Sequence, residues 1–314
     1  MNPHVNNTSD NESLLRACAG EHNIIYATFI ISVNVIFMLA NMLHMYILSR
    51  SAKQCKRSYL FILLNISLVD ILVSFYHVAV YNPLLPCLPS LTLDITFALI
   101  QEVGITVAQC RYNLLALASF DRYFAVCKPY QYSNSKVLNN IGKVLLSVWL
   151  INTALSVPLS ISPDVACLMS GKVRENSATA KGVVTILVMC INFLVSLLLT
   201  TLCLVAVFRE VKRMKKRNLQ ADDKILIKSS HYVIGTIAMF YIFVSPMFID
   251  LFLYFIPLPS TRVPHYVAAQ TIVWLQSLYS VGNIAFYAFL QPEYVTKAKK
   301  LFTSVCAGKI YPVE

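Results

Sequence analysis

An all-α membrane protein, a bundle of seven transmembrane helices with a short amphipathic helix after the last span, is what the sequence predicts. Three observations lead there. Of 314 residues, 57% are hydrophobic and only 13% charged, where a soluble domain carries about 25% charged residues. The apolar residues come in long blocks rather than amphipathic stripes, and mean hydropathy is +0.63. The basic residues gather beside alternate blocks. No internal repeat or low-complexity segment points to a solenoid or a disordered array.

A bilayer core of ~30 Å takes roughly 20 apolar residues in helical form. Seven segments qualify, at 24–49, 59–83, 93–119, 141–163, 182–208, 230–256 and 265–290. Lipid offers the backbone no hydrogen-bond partner, so each is expected to be a helix. The first follows a polar stretch and is expected to act as a signal-anchor rather than a cleaved signal. The chain therefore divides into an outer N-terminus at 1–23, a membrane domain at 24–290, and an inner amphipathic helix and tail at 291–314.

Lys and Arg in the loops give the orientation. The first loop holds Arg50, Lys53, Lys56 and Arg57, and the third Arg122, Lys128, Lys136 and Lys143. The fifth runs from Arg209 through Lys212, Arg213, Lys215, Lys216 and Arg217 to Lys224 and Lys228. The tail adds Lys297, Lys299, Lys300 and Lys309, making twenty on this side. The other side has five: Arg16, Lys172, Arg174, Lys181 and Arg262. This asymmetry puts the odd loops and tail in the cytoplasm and the N-terminus outside, as expected of a multi-pass protein of the plasma membrane. The net charge of +11 then reads as contact with anionic lipid headgroups and not with nucleic acid.

Glycosylation sequons begin at Asn6, Asn7 and Asn11 on the outer side. A fourth, at Asn65, lies within a span and is not expected to be used. Cys18, Cys87 and Cys167 fall outside, and Cys87–Cys167 is the expected disulfide because it ties two loops together. Cys306, beyond the amphipathic stretch 291–303, is a candidate for palmitoylation, with a plain tail cysteine as the alternative.

Ionisable groups within a bilayer are costly and so mark function. Asp70 lies in the second segment and Arg111 midway along the third, which ends in Asp121-Arg122-Tyr123. Asp94, Glu102 and Asp250 lie nearer the outer ends, where carboxylates are expected to snorkel to water. Six scattered histidines include no metal-ligand spacing, and no nucleophile–base pair is visible, so neither a metal, a cofactor nor an enzymatic activity is expected.

The ordered set of Asn41, Asn65, Asp70, Asp121-Arg122-Tyr123, Trp149, Pro158, Phe240, Pro246, Asn283 and Tyr287, each in its own segment, resembles the rhodopsin-like G-protein-coupled receptors. The likeness covers about 24–303. Within that superfamily the chain is most similar to olfactory (odorant) receptors. Ala118-Ser119-Phe120-Asp121-Arg122-Tyr123-Phe124-Ala125-Val126-Cys127-Lys128-Pro129-Tyr130-Gln131-Tyr132 looks like their M-A-Y-D-R-Y-V-A-I-C-K-P-L-x-Y. Leu114-Leu115-Ala116-Leu117, Asn65 to Asp70 and Phe243-Val244-Ser245-Pro246 are similar to further olfactory signatures.

The departures are equally specific. The outer cysteine of the third helix is Phe97, the fifth helix has no proline, and Ile284 stands where the seventh-helix proline belongs. Thr236 replaces the olfactory histidine and Val244 the toggle aromatic. Where the family has a glutamate or small polar residue eleven positions before Arg122, this chain has Arg111. An arginine there excludes sodium, and an Asp70–Arg111 ion pair is expected, because a lone interior charge costs several kcal/mol.

The resemblance implies an odorant-like small-molecule ligand, a heterotrimeric G protein as partner, and a switch built from Asp121, Arg122, Tyr123, Phe240, Pro246, Asn283 and Tyr287. At rest Asp121 holds Arg122, and an outward shift of the sixth helix frees it. Gln101, Gly104, Ile105, Ala108, Met247, Phe248 and Gln276 are the residues expected to face the ligand. Gly104 stands where an aminergic receptor needs an acid, so the ligand is expected to be mostly apolar and not a biogenic amine. The alternatives are a diverged or non-signalling receptor-like protein, or a transporter or channel. Against the last, the two halves show no inverted repeat and no pair of broken helices.

Overall fold

The computed structural model describes residues 24–55, 58–80, 90–135, 139–160, 180–216, 221–243, 246, 265–290, 294–296 and 298–299. Seven long helices make up nearly all of these: α1 (Ile24–Cys55), α2 (Ser58–Val80), α3 (Ser90–Cys127), α4 (Ile141–Ser160), α5 (Ala180–Met214), α6 (Ala221–Phe243) and α7 (His265–Leu290). A short helix, Pro129–Ser133, follows α3. Among the described residues, four stretches, Ala27–Ser49, Ser58–Val80, Cys190–Met214 and Leu226–Phe243, are long and apolar enough to cross a membrane by length and composition. α3 is long enough but carries Glu102, Arg111, Asp121 and Arg122 along its length.

The helices close into a ring around α3. α1 packs on α2, α6 on α7, and α7 returns to α1, while α3 touches α2, α4, α5 and α6. The pattern is that of lipid as solvent: large apolar side chains outside, polar ones within. On α5, Ile191, Leu194, Leu198 and Leu202 recur at helical spacing and are all more than half exposed. Asn34, Asn41, Asp70, His77, Arg111, Asn152 and Asn283 are each no more than 2% exposed. With no water in the bilayer, polar side chains find partners only by turning into the bundle.

Two glycines permit close helix contacts. A Cβ on Gly235 would lie 2.0 Å from the Phe286 ring of α7, and one on Gly104 would lie 2.5 Å from the Tyr76 ring of α2. At both places a neighbour's aromatic ring occupies the space a side chain would need.

The helix ends differ from the expected segments. α3 does not end at Asp121-Arg122-Tyr123 but continues to Cys127. It stops where Lys128, the residue before Pro129, takes a non-helical φ of −137°. α5 extends to Met214 and α6 begins at Ala221, well beyond 208 and before 230. Here Val207 and Val211 of α5 pack with Ile227 of α6 and Val126 of α3. The core thus continues beyond the expected segments as one apolar stripe on helices that also carry charged residues, which an all-apolar window overlooks.

Candidate functional site

A charged pair lies at the centre of the bundle. Arg111 Nη2 of α3 donates to Asp70 Oδ1 of α2 at 2.6 Å, with side-chain exposures of 3% and 0%. The guanidinium also lies over the Tyr279 ring of α7, 5.0 Å from its centroid. Arg111 Nε and the Tyr279 hydroxyl have no hydrogen-bond partner among the described residues. Asp70 Oδ2 receives Asn283 Nδ2 of α7 at 3.4 Å. Asn283 Oδ1 in turn accepts from two α6 hydroxyls, Tyr232 at 2.6 Å and Thr236 at 3.1 Å. One polar network therefore reaches α2, α3, α6 and α7.

A second cluster lies near the C-terminal end of α3. Arg122 binds the Asp121 carboxylate through Nε at 2.9 Å and also through Nη2, while Nη1 donates to Ser229 Oγ of α6 at 2.8 Å. The helix is continuous here, so the guanidinium folds back along it to reach its neighbour, and no frayed end is involved. The other Asp121 oxygen accepts from Ser58 at 2.5 Å and Tyr132 at 3.2 Å. Burial first, and then the Asp121 charge, hold the Tyr132 phenol above its ordinary value. Arg122 also stacks over Tyr59, 4.5 Å from the ring centroid. Tyr123 is half-buried beside this cluster and meets Phe124 edge-on.

Between the two clusters run aromatic contacts. Tyr287 packs edge-on against Tyr232, His44 and Tyr294, with centroids 4.9, 5.1 and 5.1 Å away. His44 Nδ1 lies 2.9 Å from the Tyr294 hydroxyl, tying α1 to the segment after α7. Burial pushes the Tyr294 phenol up to about 12. Phe240 is buried against Tyr279, ring centroids 5.9 Å apart, and Pro246 is half-buried.

Polar ladders hold the remaining helices. Asn41 donates to Ser280 Oγ at 2.8 Å, and Trp149 to Asn65 Oδ1 at 3.0 Å. Asn113 of α3 accepts from Ser196 of α5 at 2.5 Å and donates to Asn152 of α4 at 2.8 Å. Glu102 departs from expectation. Instead of snorkelling to water, one of its oxygens accepts from Thr106 at 3.2 Å and from Ser156 of α4. A hydroxyl one turn along α3 and another from α4 offer the carboxylate partners within the bundle.

Of the residues expected to face a ligand, Gly104 is covered by Tyr76, Ile105 is buried, and Ala108 is half-buried. Gln276 hydrogen-bonds the buried His77, whose Nδ1 lies 3.2 Å from Asn34 Oδ1. The Gln101 side chain, Met247 and Phe248 lie outside the described residues. So do Cys87, Cys167, Cys306, Asn6, Asn7 and Asn11, and the Asp94 side chain and Asp250. A crevice between α3, α5 and α6 is lined by Tyr112, Phe193, Ser196, Thr200, Phe240 and Tyr241 among others. It includes none of the seven residues expected to face a ligand.

Tyr232, Ser229, Tyr59, Tyr132 and His77 are site residues that sequence reasoning missed. The one available signal was the spacing of Ser229, Tyr232 and Thr236 at three and four residues, which puts them on one face of α6.

Comparison with known proteins agrees with this architecture. The model of the seven-transmembrane receptor (rhodopsin family) matches residues 40–284. The fold is similar to the crystal structure of squid rhodopsin, with a TM-score of 0.68 over 91% of this chain and 87% of that one. Sequence identity there is 17%, so this likeness concerns the fold alone. No curated protein matches the chain by sequence. A family match over most of the chain, a helical bundle of the rhodopsin type, and an Asp-Arg-Tyr cluster near the C-terminal end of α3 together mean that this multi-pass membrane protein belongs to the rhodopsin family of seven-transmembrane receptors.

Proposed function

We propose that the chain is an odorant-type receptor of the plasma membrane, with its N-terminus outside, that activates a heterotrimeric G protein. Its ligand is small and mostly apolar and binds in the outer half of the bundle. The observation that carries the signalling part is the Arg122 latch. Its guanidinium is shared between Asp121 of α3 and Ser229 of α6, so an outward shift of α6 breaks one side of that grip. A ligand drives the shift only by binding the open state more tightly than the closed one. Pro246, which removes a backbone donor, supplies the bend about which α6 moves.

The odorant part rests on the likeness of Ala118 to Tyr132 to the olfactory signature, and the apolar ligand on Gly104 standing where an amine would need an acid. Exposed Arg209, Lys212, Arg213, Lys215 and Lys216 at the end of α5 suit an acidic G-protein surface or anionic headgroups. A second reading, a diverged receptor-like protein that does not signal, is favoured by Ile284 in place of the seventh-helix proline.

Cyclic AMP in cells displaying the chain at their surface, challenged with an odorant and metabolite panel, separates the two. A ligand-dependent rise that Arg122→Ala abolishes supports the receptor. Silence across all G-protein classes at confirmed surface expression supports the non-signalling reading.

A further inference from the structure

Two hydroxyls on one face of α6 converge on a single oxygen of α7. Tyr232 and Thr236, a turn apart, donate to Asn283 Oδ1 at 2.6 and 3.1 Å. All three residues are nearly inaccessible, with exposures of 2%, 2% and 1%. An amide oxygen has two lone pairs, so α6 alone saturates this one. The amide nitrogen points the other way, to Asp70 Oδ2 at 3.4 Å, whose partner oxygen takes Arg111. Phe286 fills the gap left by Gly235, beside Thr236, which brings the two helices together at this level. One turn toward the cytoplasm from Tyr232 on the same helix stands Ser229, which accepts from Arg122.

We infer that Tyr232 and Thr236 are positioning residues that clamp α6 to α7 at rest, and that Asn283 couples the Asp70–Arg111 pair to that clamp. The inference rests on the receptor reading above. Once α6 moves, Tyr232 and Thr236 keep only partners on their own helix, such as each other, and Asn283 Oδ1 loses both donors. Opening α6 therefore requires breaking both bonds together with the Ser229 contact. Because Asn283 also donates to Asp70, a change at the charged pair alters how firmly α6 is held, without any ligand contact to α6 itself.

The test uses the full chain in lipid nanodiscs, with spin labels carried by non-canonical residues at positions 143 and 228, both exposed at the cytoplasmic ends of α4 and α6. Electron–electron resonance then reads the distance between the helices with no ligand or G protein present. Tyr232→Phe and Thr236→Val remove the hydroxyls at nearly constant shape. Each is expected to raise the ratio of open to closed α6 about five-fold, the worth of one ordinary hydrogen bond. Thr236→Ser, which keeps a hydroxyl, is expected to restore the parent distribution.

An unchanged distribution in the double variant, while Ser229→Ala opens α6, overturns the clamp and leaves the receptor reading standing. No movement in either variant, together with no nucleotide exchange on any G protein, overturns both. Should the double variant fail to run as a monodisperse species, Thr236→Val with its Thr236→Ser rescue decides the matter.

Discussion

Arg111 and Asp70 form a direct ion pair in the bundle interior, 2.6 Å apart and withdrawn from solvent, joining α3 to α2. Two charges so placed are each the other's main compensation, which makes the consequences of removing one different from those of removing both. Asp70→Asn, or Arg111→Leu, leaves a buried unpaired charge and is expected to cost about 3–5 kcal/mol. The double substitution is expected to recover most of that loss. Thermal unfolding of the four proteins in detergent gives the coupling; additive losses would show that the pair contributes nothing.

The same pair predicts indifference to sodium. With the guanidinium already on the Asp70 carboxylate, a sodium ion brings a second positive charge to a site whose negative charge is neutralised. Thermal stability and any agonist response are expected to be the same in sodium chloride and in N-methylglucamine chloride at equal ionic strength. A sodium-specific stabilisation would contradict this.

Near the C-terminal end of α3, Ser229→Ala removes the α6 side of the Arg122 grip and leaves Asp121 in place. Ligand-free signalling is expected to rise about five-fold, the effect of one lost hydrogen bond. Tyr59→Leu removes a cation–π contact worth about 0.5–2 kcal/mol and is expected to act in the same direction. Arg122→Ala abolishes coupling instead. Basal nucleotide exchange in membranes ranks all three.

Asn113 holds α5, which has no proline, by accepting from Ser196, and holds α4 by donating to Asn152. Asn113→Leu strands both partners in an apolar interior and is expected to destabilise the protein by about 1–3 kcal/mol. Ser196→Ala, which frees only one, should cost less. A melting series that puts Ser196→Ala below Asn113→Leu would locate the anchor elsewhere.

Three glycines on helices give a graded packing test. An alanine at Gly142 meets nothing within 4 Å, whereas one at Gly104 or Gly235 meets an aromatic ring at 2.5 or 2.0 Å. Gly142→Ala is expected to stabilise by about 0.5–1 kcal/mol through helix propensity. Gly104→Ala and Gly235→Ala are expected to destabilise by about 1–3 kcal/mol through overpacking. Unfolding midpoints read the order directly.

Legibility followed distance along the chain. The second span could be read because a mostly apolar stretch such as Ser58–Val80 is local, and the Asp121–Arg122 neighbourhood could be read because its members are adjacent. Partnerships of α6 could not. Tyr232 and Asn283 are 51 residues apart, and nothing in a tyrosine's own window says whether its hydroxyl meets an amide or a headgroup. The partner of Glu102 is illegible for the same reason, since Ser156, 54 residues on, lies on another helix. The ends of α5 and α6 extend beyond their apolar windows because Val207, Val211 and Ile227 support each other only across helices.

What the sequence determined by itself was the solvent: a chain this apolar must place its backbone in helices, and its basic residues beside their ends. Tertiary structure alone decided which polar groups meet inside. A buried side-chain donor that does not bond within its own helix meets whichever neighbour the rotation and packing of the helices bring to it, and no single segment encodes that.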